Sequence, residues 1–382
     1  MKVASGHRLT RAGVAVVLMA ATLSPVACRD GTSERGGRAR RSEVGRGENA
    51  DAVAPRHLEA RWLVAPEVSG DPPLAAPLAL AVDEYNGRLY LLETQPPELR
   101  VYDLENGAYL GALGRAGDGP GEYRRPIGVA VETGGGLAAV LSMSGRVTFW
   151  RADGGLAGTV RVGFGLATDI VAARADSFYV KSDVFPPADV AEFRVVAVDT
   201  ALERPRFRDL GVPGTEEPGR PYKNHSYAVA ATPAGDLLLA PPGPEYTILR
   251  VGADGDVIQQ IGRPEVASLS RSEEEIEAIR ERVRHAFAAM GRAAPLDTPV
   301  PKYRSHVARL AAAPDASTWA LTQRGDSGAA IIDWFDADGV YSGSVVVDLR
   351  VSELAVSSTD IYLLARSTFD LPGVAVAGRP GR

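Results

Sequence analysis

Gly114-Arg-Ala-Gly-Asp-Gly-Pro-Gly-Glu-Tyr-Arg-Arg-Pro-Ile-Gly-Val-Ala-Val131 decides the fold. Its first half is dense in glycine and proline, the residues that supply positive φ and fixed turns. Its second half, Ile127 to Val131, is a short apolar strand. The glycine-rich part leads into a strand and not into a helix, so no helix N-terminus waits there for a phosphate.

The strand has cousins along the chain. Leu78–Val82, Asp169–Ala173, Tyr227–Ala231, Ala308–Ala312 and Ser352–Val356 are all small, mainly apolar and β-compatible. A turn and a second apolar run follow them, as in Asn86-Gly87 before Leu89-Tyr-Leu-Leu92, Gly235-Asp236 before Leu237-Leu-Leu239, and Thr359-Asp360 before Ile361-Tyr-Leu-Leu364. Asn-Gly between two apolar runs is a strong hairpin signal. Further hairpins turn at Glu105-Asn-Gly107, Ala152-Asp-Gly154, Ala253-Asp-Gly255 and Ala337-Asp-Gly339. These Asp-Gly pairs lack the distal glutamate of a calcium loop and are read as turns. Each unit is thus four antiparallel strands, with a period of about 45 residues, which marks a β-propeller blade. Six inner strands predict six blades.

The form Gly117-Asp-Gly-Pro-Gly-Glu-Tyr-x-x-Pro126 resembles the connecting loop of NHL-type six-bladed β-propellers of exported bacterial proteins and lipoproteins. The resemblance implies an all-β propeller over residues 58–382. The last unit has only Val374–Ala377 after Ile361–Leu364, so its missing strand is expected from Ala60–Ala65, an N-terminal strand closing the ring. One insertion, 264–302, interrupts the repeat. Ser272-Glu-Glu-Glu275 is a capping box. Ile276, Ile279, Val283, Phe287 and Met290 follow at helical spacing, which predicts a helix over about 270–291, packed on the propeller, with a lid or docking helix as the alternative.

Composition agrees. The 382 residues are 45% hydrophobic, 7% aromatic and 24% charged, enough apolar material for a core. A net charge of −6 gives no reason to expect nucleic acid. Lys2, Arg8 and Arg11 precede an apolar run, Gly13–Leu23, too short to span a bilayer. Residues 1–27 are expected to be a signal peptide. Val26-Ala27-Cys28 resembles a lipobox, with Pro25 as a departure, so Cys28 is the expected lipidation site. Residues 28–57 are poor in large apolar groups and are read as a flexible tether. The expected location is the bacterial cell envelope, anchored to the membrane through lipid on Cys28, with a secreted or periplasmic soluble form as the alternative. As the only cysteine, Cys28 excludes an internal disulfide.

Connecting loops of a propeller open on one face. The residue six places before the end of each inner strand is Ala76, Arg125, Ala167, His225, His306 and Arg350. With Arg124, Lys223 and Arg304 nearby, these residues predict a ligand-binding mouth for a peptide, glycan or envelope protein, because guanidinium groups bind anions in pairs. Tyr123, Tyr222 and Tyr303 are expected to add aromatic edges there. The alternative is a metal-dependent lyase or hydrolase with His225 and His306 as catalytic and metal-binding candidates. NHL-type lyases acting on amidated-peptide precursors resemble this in holding zinc with histidines from several blades. The preferred reading is a monomeric binding module without cofactor; zinc or calcium belongs to the alternative. Other catalytic patterns are absent: there is no Gly-x-Ser-x-Gly elbow, Walker loop or dinucleotide fingerprint.

Overall fold

A computed structural model describes residues 54–66, 73–162, 166–174, 177–184, 192–199, 207–209, 227–241, 243–253, 255–289, 300, 302–325 and 328–380. The expected signal peptide, Cys28, nearly all of the tether, Lys223 and His225 lie outside them.

The chain is a β-propeller. Strands assemble into consecutive antiparallel sheets. Sheet 1 holds Pro77–Asp83, Arg88–Thr94, Pro97–Asp103 and Tyr109–Leu113. Sheet 2 holds Pro126–Val131, Leu137–Ser142, Arg146–Arg151 and Leu156–Arg161. Sheet 3 holds Leu166–Arg174, Ser177–Val184, Glu192–Asp199 and Phe207–Asp209. Sheet 4 holds Ala228–Ala231, Leu237–Ala240, Thr247–Val251 and Val257–Gly262. Sheet 5 holds Val307–Ala312, Thr318–Thr322, Ala330–Phe335 and Tyr341–Val347, with Arg56–His57 as a fifth, parallel strand on its outer edge. Sheet 6 holds Arg350–Val356, Asp360–Arg366 and Pro372–Gly378, and its outer strand is Arg61–Val64.

That last pairing joins the two ends of the described chain: Trp62 lies opposite Ala375 and Arg61 opposite Val376, antiparallel. The chain is tied to the sheets from Arg56 onward, since Leu58 N–H also donates to Val346 C=O at 2.9 Å. The first strand of each sheet packs against the first strand of the next, and that of sheet 6 returns to that of sheet 1.

The core follows from this ring. Its buried residues fall into clusters, each shared by two consecutive sheets. Successive side chains of a strand point to opposite faces. Leu89 and Leu91 therefore pack toward sheet 6, while Tyr90 and Leu92 pack toward sheet 2. Both faces are buried, which is why the second strands read as unbroken apolar runs rather than alternating ones. Trp319 and Trp334 stack with ring centroids 5.7 Å apart between sheets 5 and 6.

The helix Glu273–Ala289 forms as the capping box predicts. Glu275 N–H donates to Ser272 Oγ at 3.2 Å, and Ser272 N–H donates to the Glu275 carboxylate at 3.0 Å. Ile276 is buried and Ile279 half-buried; the side chains of Val283, Phe287 and Met290 lie outside the description. Among the described residues, no helix is long and apolar enough to cross a membrane.

Candidate functional site

The loop after sheet 1 folds around one side chain. Gly114 and Gly121 have φ of +76° and +72°. Arg115–Ala116 and Glu122–Tyr123 form a short parallel ribbon. The Glu122 carboxylate accepts from Gly119 N–H at 2.8 Å and Arg115 Nε at 2.9 Å, which holds its pKa below the usual carboxylate range. Tyr123 is 1% exposed and accepts a hydrogen bond from Trp150 Nε1 at 2.6 Å. It is therefore a core side chain between sheets 1 and 2, not the aromatic edge expected at the mouth. Burial pushes its hydroxyl far above the usual range.

The same loop leaves Arg124 and Arg125 exposed. Arg124 lies 3.4 Å from Asp118 in a surface pair. Arg125 has φ +52°, and its carbonyl accepts from Met143 N–H at 3.0 Å. Gln323 N–H donates to the His306 carbonyl in the same way at 2.9 Å, and Thr94 N–H to that of Ala76 at 3.1 Å. Arg350 pairs in register with Arg366 at the matching place in sheet 6. Arg125, His306 and Arg350 thus occupy equivalent backbone positions in sheets 2, 5 and 6. In sheet 3 the equivalent residue is Leu166, not Ala167. The inner strands carry a β-bulge two residues further on, at Leu78, Ile127, Thr168, Ala308 and Ser352, and the one at Thr168 fixes the count.

The side chains at these positions differ. Arg350 is half-exposed and bonds Asp370 at 2.7 Å. Arg304 pairs with Glu275 of the helix. His306 is 2% exposed. Its Nε2 lies 3.2 Å from the Pro244 carbonyl, its ring 5.5 Å from that of Tyr246, and its Nδ1 has no hydrogen-bond partner among the described residues. Such a ring is bonded into the wall between sheets 4 and 5 and does not face solvent.

A second constellation lies just inside the mouth. A cavity of about 560 Å³ runs along the ring axis and is lined by the first strands of all these sheets. Directly after the bulge, the first strands of sheets 1, 2, 3, 5 and 6 carry Ala79, Gly128, Asp169, Arg309 and Glu353, all of which line the cavity. Asp169, Arg309 and Glu353 therefore enter one layer of the channel. Arg309 Nε donates to Glu353, and its Nη1 donates to the Ala308 carbonyl at 2.9 Å. Lys181 lies directly opposite Asp169 on the neighbouring strand and donates to the Tyr227 carbonyl at 2.8 Å. Burial pushes the Asp169 carboxyl up, against the pull of Lys181 and Arg309. It pushes that of Glu353 up to about 7, with Arg309 opposing and Asp169 assisting. Desolvation thus outweighs pairing for both acids. Arg309 keeps 46% of its side chain exposed, against 19% for Glu353. Sequence reasoning missed these residues because it grouped them with small apolar strand positions. The available signal was a charge at the same place in three strands whose counterparts are alanine or glycine.

No family model matches the chain, and no curated protein matches it by sequence. Solved structures do resemble it. U3-55K superposes with a TM-score of 0.54 at 11% identity, covering 85% of this chain and 100% of that one. The WD40 repeats of RRP9 give 0.53 at 10% identity, covering 85% and 99%. A Bacteroides fragilis protein with a provisional designation as exported gives 0.51 at 13% identity, covering 87% and 97%. At these identities the likeness is one of fold, the propeller.

Proposed function

We propose that the chain is an exported, lipid-anchored propeller of six blades that binds a peptide, glycan or envelope protein through anionic groups at its loop-bearing face. The blade count takes the five-stranded sheet as one blade carrying Arg56–His57 as an extra edge. The observation that carries the binding reading is the placement of Arg125 and Arg350 at equivalent backbone positions where the inner strands begin, with Arg124 beside Arg125. Rigidly held loops with exposed donors favour recognition. The pairs Arg124–Asp118 and Arg350–Asp370 are surface pairs, worth about 1 kcal/mol or less each, so a ligand carboxylate, sulfate or phosphate replaces the internal acid at little cost. Lys223 and His225 belong to the same face in this reading.

Acidic peptides and sulfated glycans arrayed at low salt test the reading. Wild type is expected to bind members of such an array. The triple variant Arg124→Ala, Arg125→Ala, Arg350→Ala is expected to lose about tenfold or more in affinity. Equal binding by the variant overturns the site. Fatty-acid labelling that persists in Cys28→Ala overturns the anchor. Stoichiometric zinc or calcium in purified protein, lost in His225→Ala, would replace this reading with the metal-dependent lyase or hydrolase.

A further inference from the structure

The channel layer has a chemistry of its own. Two of its positions, Ala79 and Gly128, are small and uncharged, which shows that such residues suffice to line the axis. The other three carry charge, and they are not interchangeable. Arg309 and Glu353 stand on neighbouring sheets and touch. Asp169 stands on sheet 3, across the ring from sheet 6. Gly128 lets sheets 2 and 3 approach closely beside it: a Cβ there would lie 3.1 Å from Ile170 Cγ2 and 3.5 Å from the Ile170 backbone nitrogen.

Lys181, only 8% exposed, is fixed in the wall by its bond to the Tyr227 carbonyl. Arg309 is the exposed donor of the layer, while Asp169 and Glu353 are its acceptors. One turn of the pleat deeper, on the same side of each strand, stand Ala81, Ala130, Val171, Ala230, Ala311 and Ala355. A charged layer next to the mouth is thus backed by an apolar collar.

We propose that the central channel binds a small α-amino acid, its ammonium facing the Asp169 and Glu353 carboxylates, its carboxylate on Arg309, and its side chain against the alanine collar. A structural role explains the layer less well. A buried ion pair gains little over apolar residues of similar size, and Ala79 and Gly128 already hold the matching places in sheets 1 and 2. Both carboxyls are held above their usual range by burial that Lys181 and Arg309 do not offset. Two acids face two bases here, so a ligand that adds one ammonium and one carboxylate keeps the layer neutral, with acceptors for the first in Asp169 and Glu353 and a donor for the second in Arg309. A purely anionic ligand would meet two acids, and a purely cationic one would meet Arg309 and Lys181. The volume of about 560 Å³ holds a free amino acid with room for water. This site is separate from the outer-face reading and stands or falls without it.

The test is calorimetric titration of the purified chain with glycine, L-alanine, L-valine and L-leucine, and with N-acetyl-L-valine and L-valine amide, at millimolar concentration. At least one free amino acid is expected to saturate a single site. The acetylated and amidated forms, each lacking one charge, are expected to bind about tenfold or more weakly. Asp169→Asn and Arg309→Met should each weaken binding by a similar factor. The outer-face pair Arg124→Ala, Arg350→Ala should leave it unchanged. Glu353→Gln keeps the shape of the layer and serves if either channel variant fails to fold; it too should weaken binding. No saturable binding by any free amino acid overturns the proposal. So do equal binding of the capped forms and binding unaffected by the channel substitutions.

Discussion

Two glycines with similar backbone angles show what a single residue decides. Gly114 has φ +76° and Gly87 has φ +62°. An added Cβ at Gly114 would fall 2.4 Å from the Tyr123 ring and 2.7 Å from the Gly121 carbonyl oxygen. At Gly87 it would meet nothing within 4 Å. Gly114→Ala is therefore expected to cost about 2 kcal/mol or more, from backbone strain and displacement of a core tyrosine together. Gly87→Asn, in a residue type that tolerates positive φ, is expected to cost under about 1 kcal/mol. Urea denaturation of both variants checks the contrast, and equal losses would refute it. The glycine-rich motif was legible in the sequence, but the tyrosine it encloses was not. An aromatic residue in a polar loop reads as exposed until the loop is seen to close over the seam between two sheets.

Elements answer to local signals and to distant partners in different measure. The helix Glu273–Ala289 follows from its capping box, a contact between residues three apart. Arg61–Val64 becomes a strand only by pairing with Pro372–Gly378 at the other end of the chain. That partner was inferable because the last unit lacked a strand and an apolar segment stood unassigned near the start. Gly373 shows how close the fit is: a Cβ there would lie 2.9 Å from Trp62 and 2.8 Å from the Val64 carbonyl oxygen. Deleting residues 58–66 is expected to expose an edge strand and lower the melting temperature by about 5 °C or more, followed by circular dichroism. An unchanged melting temperature would show that this pairing does not close the domain.

At the scale of the whole molecule, the ring concentrates charge that the sequence spreads over some 180 residues, from Asp169 to Glu353. The consequence is a pH dependence. Glu353 titrates near 7 when folded and near 4.5 otherwise. Between those values the folded chain holds more protons than the unfolded one, so stability falls as pH rises through the window. The ionised group costs the fold roughly 3 kcal/mol above pH 7, and nothing below about pH 4. Glu353→Gln is expected to flatten this segment of the stability profile and to be at least as stable as wild type at pH 8. Denaturant titrations at pH 5 and pH 8 measure the difference, and a variant with the parental slope would refute the assignment.

The sequence by itself determined the strand order, the turns, the repeat and the pairing of the two ends. The first three rest on local chemistry, namely alternation along a strand, glycine at positive φ and short apolar runs, whereas the pairing followed from a strand missing in the last unit and an unassigned apolar segment near the start. The equivalence of Arg125, His306 and Arg350 also came from counting along that repeat. What tertiary structure decided was exposure and company. His306 turns into the wall beneath Pro244, Arg304 and Arg350 meet acids of their own, and Tyr123 enters the core. Bulges in the inner strands of sheets 3, 5 and 6 set Asp169, Arg309 and Glu353 at one height. A bulge displaces the register by one residue without any mark in composition. Only the closed ring, which brings strands from distant units against one axis, turned three scattered charges into one layer.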